Sequence, residues 1–204
     1  MFESNLFERF SRAHPLTPAL LYLPLVALAT WLALRQQTPG FVVLEALAGY
    51  ITWTVAEYWL HRTLFHLPVV GPKSARLAFL LHGVHHDSPW DETRLVMPAG
   101  SSLAWCALTL AAFRALFGVH MWAPLAGFVL GYVVYDELHW YVHAGRPSSR
   151  LGRWLRREHL LHHFKDPTTR FGVSCPWLDY VFGTRGAPRS AARPQSAPDL
   201  EPAE

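Results

Sequence analysis

Ten of the twelve histidines fall into four short groups along the chain. The groups are His61 and His66; His82, His85 and His86; His139 and His143; and His159, His162 and His163. Imidazole is the commonest nitrogen ligand of zinc, copper and iron in proteins. Because zinc prefers four ligands and iron takes at most six, ten imidazoles exceed what one ion can hold. The sequence therefore predicts a site for two metal ions.

The spacing inside each group suits convergence on such ions. On an α-helix, residues at i, i+3 and i+4 face one side, with Cβ atoms about 5–6 Å apart. Both H-x-x-H-H groups have this spacing, and His139 and His143 form an i, i+4 pair. His61 and His66 are five apart, so we expect their helix to end or distort between Arg62 and Phe65.

Carboxylates near the histidines are expected to support the site, because neutral imidazoles bring no negative charge to two cations. Glu57 lies one turn before the first group and Asp136 lies three residues before the third. We expect both to orient imidazole N–H groups. Asp87 and Glu137 are further candidates for this role, with a solvated charge at a membrane interface as the alternative.

The residues around the histidines narrow the chemistry. The sequence has no serine or cysteine nucleophile motif, no phosphate-binding Gly-rich loop and no paired carboxylates of the hydrolytic kind. Activation of O2 at iron supplies an oxidant strong enough to break an unactivated C–H bond. The indicated reaction is hydroxylation or desaturation of a lipid. Burial of an acyl tail in the bilayer contributes about 0.8 kcal/mol per methylene, so the tail stays deep while the carbons near the headgroup lie at the interface. Metal ions bound at helix ends would therefore meet the carbons near the headgroup.

Long apolar stretches position the histidine groups. A bilayer core takes about 20 apolar residues of helix to cross, and four stretches qualify or nearly so. They run over about 16–34, 41–60, 101–118 and 121–138. The connections at 35–40 and 118–120 are short enough for tight turns only, so the sequence predicts an all-α integral membrane fold of two hairpins.

Basic residues predict the orientation. Of the eighteen, only Arg35 and Arg114 lie near the two turns. Because short cytoplasmic loops carry the excess of Lys and Arg, all four histidine groups are expected on the cytoplasmic side. The arginines also lie beside apolar segments, where anionic headgroups attract them. We therefore expect membrane lipids, and no nucleic acid, as partners.

The remaining segments form one unit with the spans. A helix is predicted over 75–86, and Ser148 is expected to cap another that runs to about His163. The sequence predicts a single domain over 1–184. The Ala, Pro, Arg and Ser tail at 185–204 is expected to be disordered.

The amino-acid sequence around the histidines resembles that of the fatty acid hydroxylase superfamily, and it is most similar to that of fatty acid 2-hydroxylases. The similar segments are HRTLFH (61–66), LHGVHHDSPWDETRLVMP (81–98), YDELHWYVHAGRP (135–147) and HLLHHFKDPTTRFGVSCPWLDYVFGT (159–184). The resemblance implies a four-helix membrane anchor capped by a cytosolic helical domain with a dimetal centre held by the ten histidines. It implies insertion of one oxygen atom at C2 of a fatty acid or of a sphingolipid acyl chain.

The resemblance also implies cofactors and partners. Each turnover takes O2 and two electrons, with iron in the active enzyme, although zinc fits the same ligands. Eukaryotic family members often carry a cytochrome b5 domain with an HPGG motif, whereas this chain has only His14-Pro15-Leu16. We therefore expect a separate donor, such as a cytochrome b5-like protein or a ferredoxin. The expected membrane is the inner one in a bacterium and the endoplasmic reticulum in a eukaryote.

Residues near the histidines are candidates for substrate binding. Four aromatic residues are expected to line the acyl entrance, with interface anchoring as the alternative: Trp90, Trp140, Tyr141 and Trp177. Arg94 and Lys165 are candidates to meet a carboxylate or headgroup.

Other functions remain open from the sequence. Sterol or carotenoid hydroxylation or desaturation would keep the same metals and change the substrate. A metal transporter or structural zinc protein is a different class, but transport predicts ionisable residues inside the spans. Here the histidines gather at helix ends on one side, which favours an enzyme.

Overall fold

The structure, a computed structural model, describes residues 11–186, and this part of the chain contains eight α-helices joined by short turns and loops. The helices are α1 (Thr17–Leu34), α2 (Pro39–Trp59), α3 (Pro72–Ala78), α4 (Val84–Asp87), α5 (Ala99–Phe117), α6 (Trp122–Ala144), α7 (Arg150–Phe164) and α8 (Trp177–Val181). The first ten residues, and all but the first two of the tail predicted at 185–204, lie outside the described residues.

Two tight connections make helical hairpins, as the sequence predicts. Four residues separate α1 from α2, and Pro39 begins α2 at a position where a missing N–H costs no helical hydrogen bond. A short 3-10 turn, Gly118–Met121, joins α5 to α6. Gly118 ends α5 with φ of +58°, a backbone conformation that glycine adopts without steric cost.

Within residues 11–186, three helical stretches are long and apolar enough to cross a membrane. They are Thr17–Leu34, Pro39–Phe65 and Glu92–Ala144. The third is 53 residues long and contains both α5 and α6. Large apolar side chains such as Leu20, Val43 and Leu116 point away from the bundle and are exposed, as expected of helices whose outer surface meets lipid.

Helix α6 lies at the centre of the bundle and packs against α1 and α2. Its side chains Leu125, Val129 and Val133 are buried in one apolar cluster. A Cβ atom at Gly127 would collide with the backbone of Ala46, so α2 and α6 approach to backbone contact at this point. Small residues allow this approach in membrane helix pairs.

Two wider turns interrupt the helices where histidines lie. Helix α2 continues as a π-helical turn over Leu60–Phe65, which confirms the predicted distortion between His61 and His66. The helix predicted over 75–86 is divided into α3, a π-helical turn at Phe79–Gly83, and α4. Such turns are frequent at functional sites.

The C-terminal part begins with α7 and then folds back. Ser149 caps α7 by accepting a hydrogen bond from the Gly152 N–H at 3.0 Å, so the predicted cap at Ser148 was wrong by one residue. A loop at 165–176, here called the return loop, leads from α7 to the end of α2. Phe171 and Cys175 of this loop are buried against Tyr58. The loop thereby brings main-chain groups to the histidines.

Candidate metal centre

The structure brings all ten predicted histidines together in two groups of five. In each group, one ring nitrogen of every histidine lies within 4.8 Å of those of the others. The first group is His61, His66, His82, His86 and His162. The second group is His85, His139, His143, His159 and His163. The two groups adjoin, because the ring of His86 stacks on that of His163 with centroids 4.1 Å apart.

Helical geometry explains this division. Positions four apart differ by only about 40° around an α-helix, whereas positions three and four from one residue differ by about 100°. Each i, i+4 pair therefore stays in one group, as His159 and His163 do. The five-residue pair His61 and His66 also stays together, because the wider π-helical turn carries it. The middle histidine of each H-x-x-H-H motif crosses to the other group.

Within each group the Nε2 atoms face one another. In the first group, Nε2 of His61 lies 3.1 Å from Nε2 of His82, and Nε2 of His66 lies 3.1 Å from that of His162. In the second group the same atoms of His143 and His159 are 2.8 Å apart. These nitrogens can share only one proton per pair, whereas a cation would satisfy all of them. Nε2 of His86 is buried without a hydrogen-bond partner, which also fits a ligand atom.

The imidazoles outside the apolar spans are held neutral. Burial and the neighbouring imidazoles keep the pKa of His82 and His159 well below its ordinary value. Burial lowers the pKa of His66 and of His86 to about 4. Burial also lowers the pKa of His162 to about 3. Because a metal ion binds the neutral ring, these side chains are ready to bind one near pH 7.

Main-chain carbonyls fix three of the rings from behind. Nδ1 of His61 lies 2.5 Å from the Phe171 carbonyl oxygen, and Nδ1 of His162 lies 2.7 Å from that of Thr169. In the second group, Nδ1 of His139 lies 2.9 Å from the Leu95 carbonyl oxygen. A carbonyl can only accept, so each Nδ1 carries the proton and each Nε2 is left with its lone pair.

The carboxylates predicted to contact imidazoles do so only indirectly. Glu57 accepts hydrogen bonds from the main-chain N–H groups of Val173 and Ser174. Asp136 accepts from the Met97 N–H and the Tyr132 hydroxyl. Neither carboxylate hydrogen-bonds an imidazole, because carbonyls already occupy the Nδ1 atoms of the nearby histidines. That the two orient imidazole N–H groups therefore stays a prediction.

Asp87 was expected to orient an imidazole as well. Its side chain is exposed at the end of α4 and forms no hydrogen bond with any described residue. Helix α4 turns this position towards solvent, and the expected orienting role of Asp87 stays a prediction.

Arg156 ties the two helices of the second group together. From α7, its guanidinium donates to the carbonyl oxygens of Val142, His143 and Gly145 at 2.9, 3.0 and 2.8 Å. These carbonyls end α6, where they have no partner inside the helix. The contact holds His143 of α6 beside His159 of α7.

Two cavities share part of their walls, and one of them reaches the histidines. The larger, of about 500 Å³, is lined by His82 of the first group and by His85 and His139 of the second. The smaller, of about 160 Å³, lies among the apolar helices and is lined mostly by apolar side chains. Four residues line both cavities: Phe65, Met97, Trp105 and Tyr135.

Of the six candidate substrate residues, only Arg94 lines either of these cavities. Arg94 is buried and paired with Asp91, with Nε 3.1 Å from Oδ2. Trp90 stacks on Phe164 at a centroid distance of 5.7 Å. Of the other four candidates, Trp140 is partly buried, and three are exposed: Tyr141, Lys165 and Trp177.

Sequence reasoning missed residues that act through the main chain. Asp179 accepts hydrogen bonds from the N–H groups of Phe171 and Gly172 at 2.9 and 3.0 Å. Glu158 binds Arg170 of the same loop, with Oε2 3.1 Å from Nε. An acid inside an otherwise apolar segment was the available signal for Asp179, whereas the carbonyls of Thr169 and Phe171 carry no signal in the sequence.

Comparison with known proteins gives a consistent set of relatives. Dihydroceramide fatty acyl 2-hydroxylase of Arabidopsis thaliana is 34% identical over 195 residues, which cover 94% of this chain and 82% of that protein. Ceramide very long chain fatty acid hydroxylase of Saccharomyces cerevisiae is 38% identical over 80% of this chain and 43% of that protein. Fatty acid 2-hydroxylase of Rattus norvegicus is 32% identical over 90% of this chain and 56% of that protein. The chain spans about half the length of the yeast and rat proteins.

A solved structure and a family model agree with these relatives. The structure, described as full-length Scs7p with only the hydroxylase domain visible, aligns with a TM-score of 0.84 and 34% identity. The alignment covers 90% of this chain and 72% of that one. The model described as fatty acid hydroxylase matches residues 46–184, which include all ten grouped histidines. The chain therefore belongs to the fatty acid hydroxylase family.

Proposed function

We propose that this protein is a membrane-bound dimetal monooxygenase that hydroxylates C2 of a fatty acid or of a sphingolipid acyl chain. One oxygen atom of O2 would enter the C2–H bond, and the other would be reduced to water by two electrons and two protons. The observation that carries the proposal is the cavity that reaches both histidine groups and adjoins an apolar cavity in the helix bundle. The printed names of the relatives support the same substrate class.

The donor set supports two ions of a redox-active metal. Each group offers five imidazole nitrogens, more than the four ligands of a structural zinc site. Two iron ions held by the ten histidines would supply the oxidant for an unactivated C–H bond. Zinc could occupy the same nitrogens without supporting that reaction, because it has no redox chemistry.

The two cavities suggest how the chain selects the atom attacked. An acyl tail in the smaller cavity would be surrounded by apolar side chains such as Leu60, Leu64 and Val129. The carboxyl end would then lie in the larger cavity, among the histidines. Arg94 on the wall of that cavity is the candidate to meet the carboxylate or headgroup. C2, which is bonded to the carboxyl carbon, would lie closest to the metal sites.

The membrane arrangement supports a lipid substrate. We propose four crossings, by α1, α2, α5 and α6, with the histidine groups on the cytoplasmic side. The separation of α5 and α6 by the turn Gly118–Met121 and the excess of basic residues on the histidine side support this arrangement. A separate redox protein of the cytochrome b5 or ferredoxin kind would deliver the electrons there.

The proposal is tested by product analysis. The chain is expressed in a host that makes no 2-hydroxylated lipids and is supplied with a fatty acid deuterated at C2, under ¹⁸O2. Mass spectrometry should find acyl chains that have lost one C2 deuterium and gained one ¹⁸O. His85→Ala should reduce this product to background, whereas His120→Ala, at an exposed histidine outside both groups, should not.

Two outcomes would contradict the proposal. If the products were an oxidised sterol or carotenoid and no 2-hydroxy acyl chains, the substrate would be a sterol or carotenoid and not a fatty acyl chain. Wild-type product from His85→Ala would remove this histidine from the metal centre.

A further inference from the structure

We propose that Glu57 and Asp136 are positioning residues, one for each histidine group, and that each acts through a main-chain loop. The inference rests on the proposed dimetal centre, and it assigns Glu57 to the first histidine group and Asp136 to the second. Both side chains are almost completely buried, with 2% and 3% of their surface exposed. Neither forms an ion pair with any described residue, so hydrogen bonds are the polar contacts that hold each carboxyl group.

Each carboxylate is linked to one histidine by a chain of hydrogen bonds, here called an arm. The first arm links Glu57 to His61 through the return loop. Glu57 Oε1 accepts hydrogen bonds from the N–H groups of Val173 at 3.0 Å and Ser174 at 2.8 Å, and Oε2 accepts one from the Ser174 hydroxyl. Two residues before Val173, the Phe171 carbonyl holds Nδ1 of His61. Glu57 precedes His61 by one helical turn. The return loop therefore contacts the same helical segment twice, at the Glu57 carboxylate and at the His61 ring.

The second arm repeats this arrangement with unrelated residues. Asp136 Oδ2 accepts a hydrogen bond from the Met97 N–H at 3.3 Å and one from the Tyr132 hydroxyl at 3.0 Å. Two residues before Met97, the Leu95 carbonyl holds Nδ1 of His139 at 2.9 Å. Asp136 precedes His139 by about one helical turn, as Glu57 precedes His61.

The repetition points to a common role. In both arms a buried carboxylate holds the N–H of a loop residue, and the carbonyl two residues earlier holds a histidine on the carboxylate's own helix. His61 belongs to the first histidine group and His139 to the second. A buried carboxylate in an apolar helix is costly, and such residues are commonly functional. Here each fixes the ring angle and tautomer of one metal-binding histidine.

Loss of one arm should therefore weaken one metal site and spare the other. Outer partners of metal-binding histidines contribute about 10–100-fold to metal affinity. The probe is zinc, loaded into the full chain in detergent and then removed with a chromophoric chelator. Wild-type protein should release two zinc ions. Glu57→Leu should release one of them about 10–100-fold faster and the other at the wild-type rate.

Asp136→Leu should accelerate release of the other zinc ion and leave the first at the wild-type rate. The two sites are assigned in chains that already lack one ligand. In a His61→Ala chain the Glu57 arm has no histidine to hold, so adding Glu57→Leu should leave release of both ions unchanged. Adding Asp136→Leu to the same chain should still accelerate release of the ion in the second group. Glu45→Leu is the matched control, because Glu45 lies on the same helix as Glu57 and is bonded to Gln37.

Milder variants keep the test decisive if a leucine variant fails to fold. Ser174→Ala removes one donor to Glu57, and Tyr132→Phe removes one donor to Asp136. Each should accelerate release of a single ion several-fold. Glu57→Gln keeps an oxygen that can accept both N–H groups, so its release should lie closer to wild type than that of Glu57→Leu.

Several results would overturn the inference. These are unchanged release from both mild variants, equal acceleration of both ions by one variant, and release from Glu57→Gln as fast as from Glu57→Leu. The last result would mean that the charge, and not the anchored loop, matters. A wild-type chain that binds two zinc ions but makes no 2-hydroxylated lipid would contradict only the proposed function.

Discussion

His85 and His86 are neighbours in the chain, yet their rings enter different histidine groups. The cause is the angle of about 100° between successive residues of a helix. The same angle separates His162 from His163. Each H-x-x-H-H motif therefore contributes to both groups, so the two proposed metal sites share their supporting helices and cannot form independently of each other's backbone.

Single substitutions of these neighbours should affect different ions. His86→Ala should lower the affinity of the first group for zinc, and His85→Ala that of the second, because each removes one donor from one group. Elemental analysis should find the loss of up to one ion per chain in each variant. The double variant should lose more than either one. His120→Ala serves as the control, and equal effects of both single variants on the same ion would contradict the assignment.

The candidate ligands were predictable at this scale, but their fixation was not. Histidine spacing identified the ten side chains that the structure brings together. The division into two groups needs the helix angle together with the π-helical turn at Leu60–Phe65, of which only the distortion was expected. The carbonyls of Leu95, Thr169 and Phe171 depend on loop conformation, to which any residue type contributes the same atoms.

At the scale of elements, Arg156 joins the end of α6 to α7 through three carbonyl oxygens. Arg156→Met should lower the free energy of unfolding by about 1–3 kcal/mol, because buried carbonyls lose a charged donor. Denaturant titration in detergent measures this change. Arg150→Met, at an exposed position on the same helix, should leave stability nearly unchanged. Equal stabilities of the two variants would contradict the role of Arg156.

The contact of α2 with α6 depends on the absence of a side chain at Gly127. Gly127→Ala should destabilise the bundle by about 1–3 kcal/mol, because its Cβ would force α6 away from the Ala46 backbone. Gly40→Ala is the matched control, since its Cβ would meet no atom within 4 Å. That variant should be neutral or stabilising by up to about 1 kcal/mol. Thermal unfolding of both variants in detergent would distinguish them.

The helices were predictable because apolar length and turn residues act locally. Helices α1, α2, α5 and α6 each begin within about two residues of the start of the corresponding predicted span. Helix α6 continues six residues beyond the predicted end, to Ala144, and carries His139 and His143. This extension follows from burial against α7, which is a tertiary effect. For the same reason the loop at 165–176 could not be predicted, since Glu57 and Asp179 hold it from distant points in the sequence.

Across the protein as a whole, the cavity inside the apolar bundle and the cavity at the histidine groups are neighbours that share part of their walls. The smaller cavity lies between α1, α2, α5 and α6, and the larger one opens onto both histidine groups. Phe65, Met97, Trp105 and Tyr135 lie at their junction. A substrate with a polar end and a long apolar tail would match this change of environment, with its polar end at the histidines.

The depth of the smaller cavity should set the acyl chain length. Thr109 lines this cavity within α5, so Thr109→Trp should fill part of it without touching a histidine. In a mixture of deuterated fatty acids, the variant should keep short-chain 2-hydroxylation and lose the longest products roughly ten-fold or more, as expected when a pocket excludes methylene groups. Ala111→Trp, on the exposed face of the same helix, is the control. Mass spectrometry gives the product profile and elemental analysis the metal content; an unchanged profile at full metal content would mean that the acyl tail lies elsewhere.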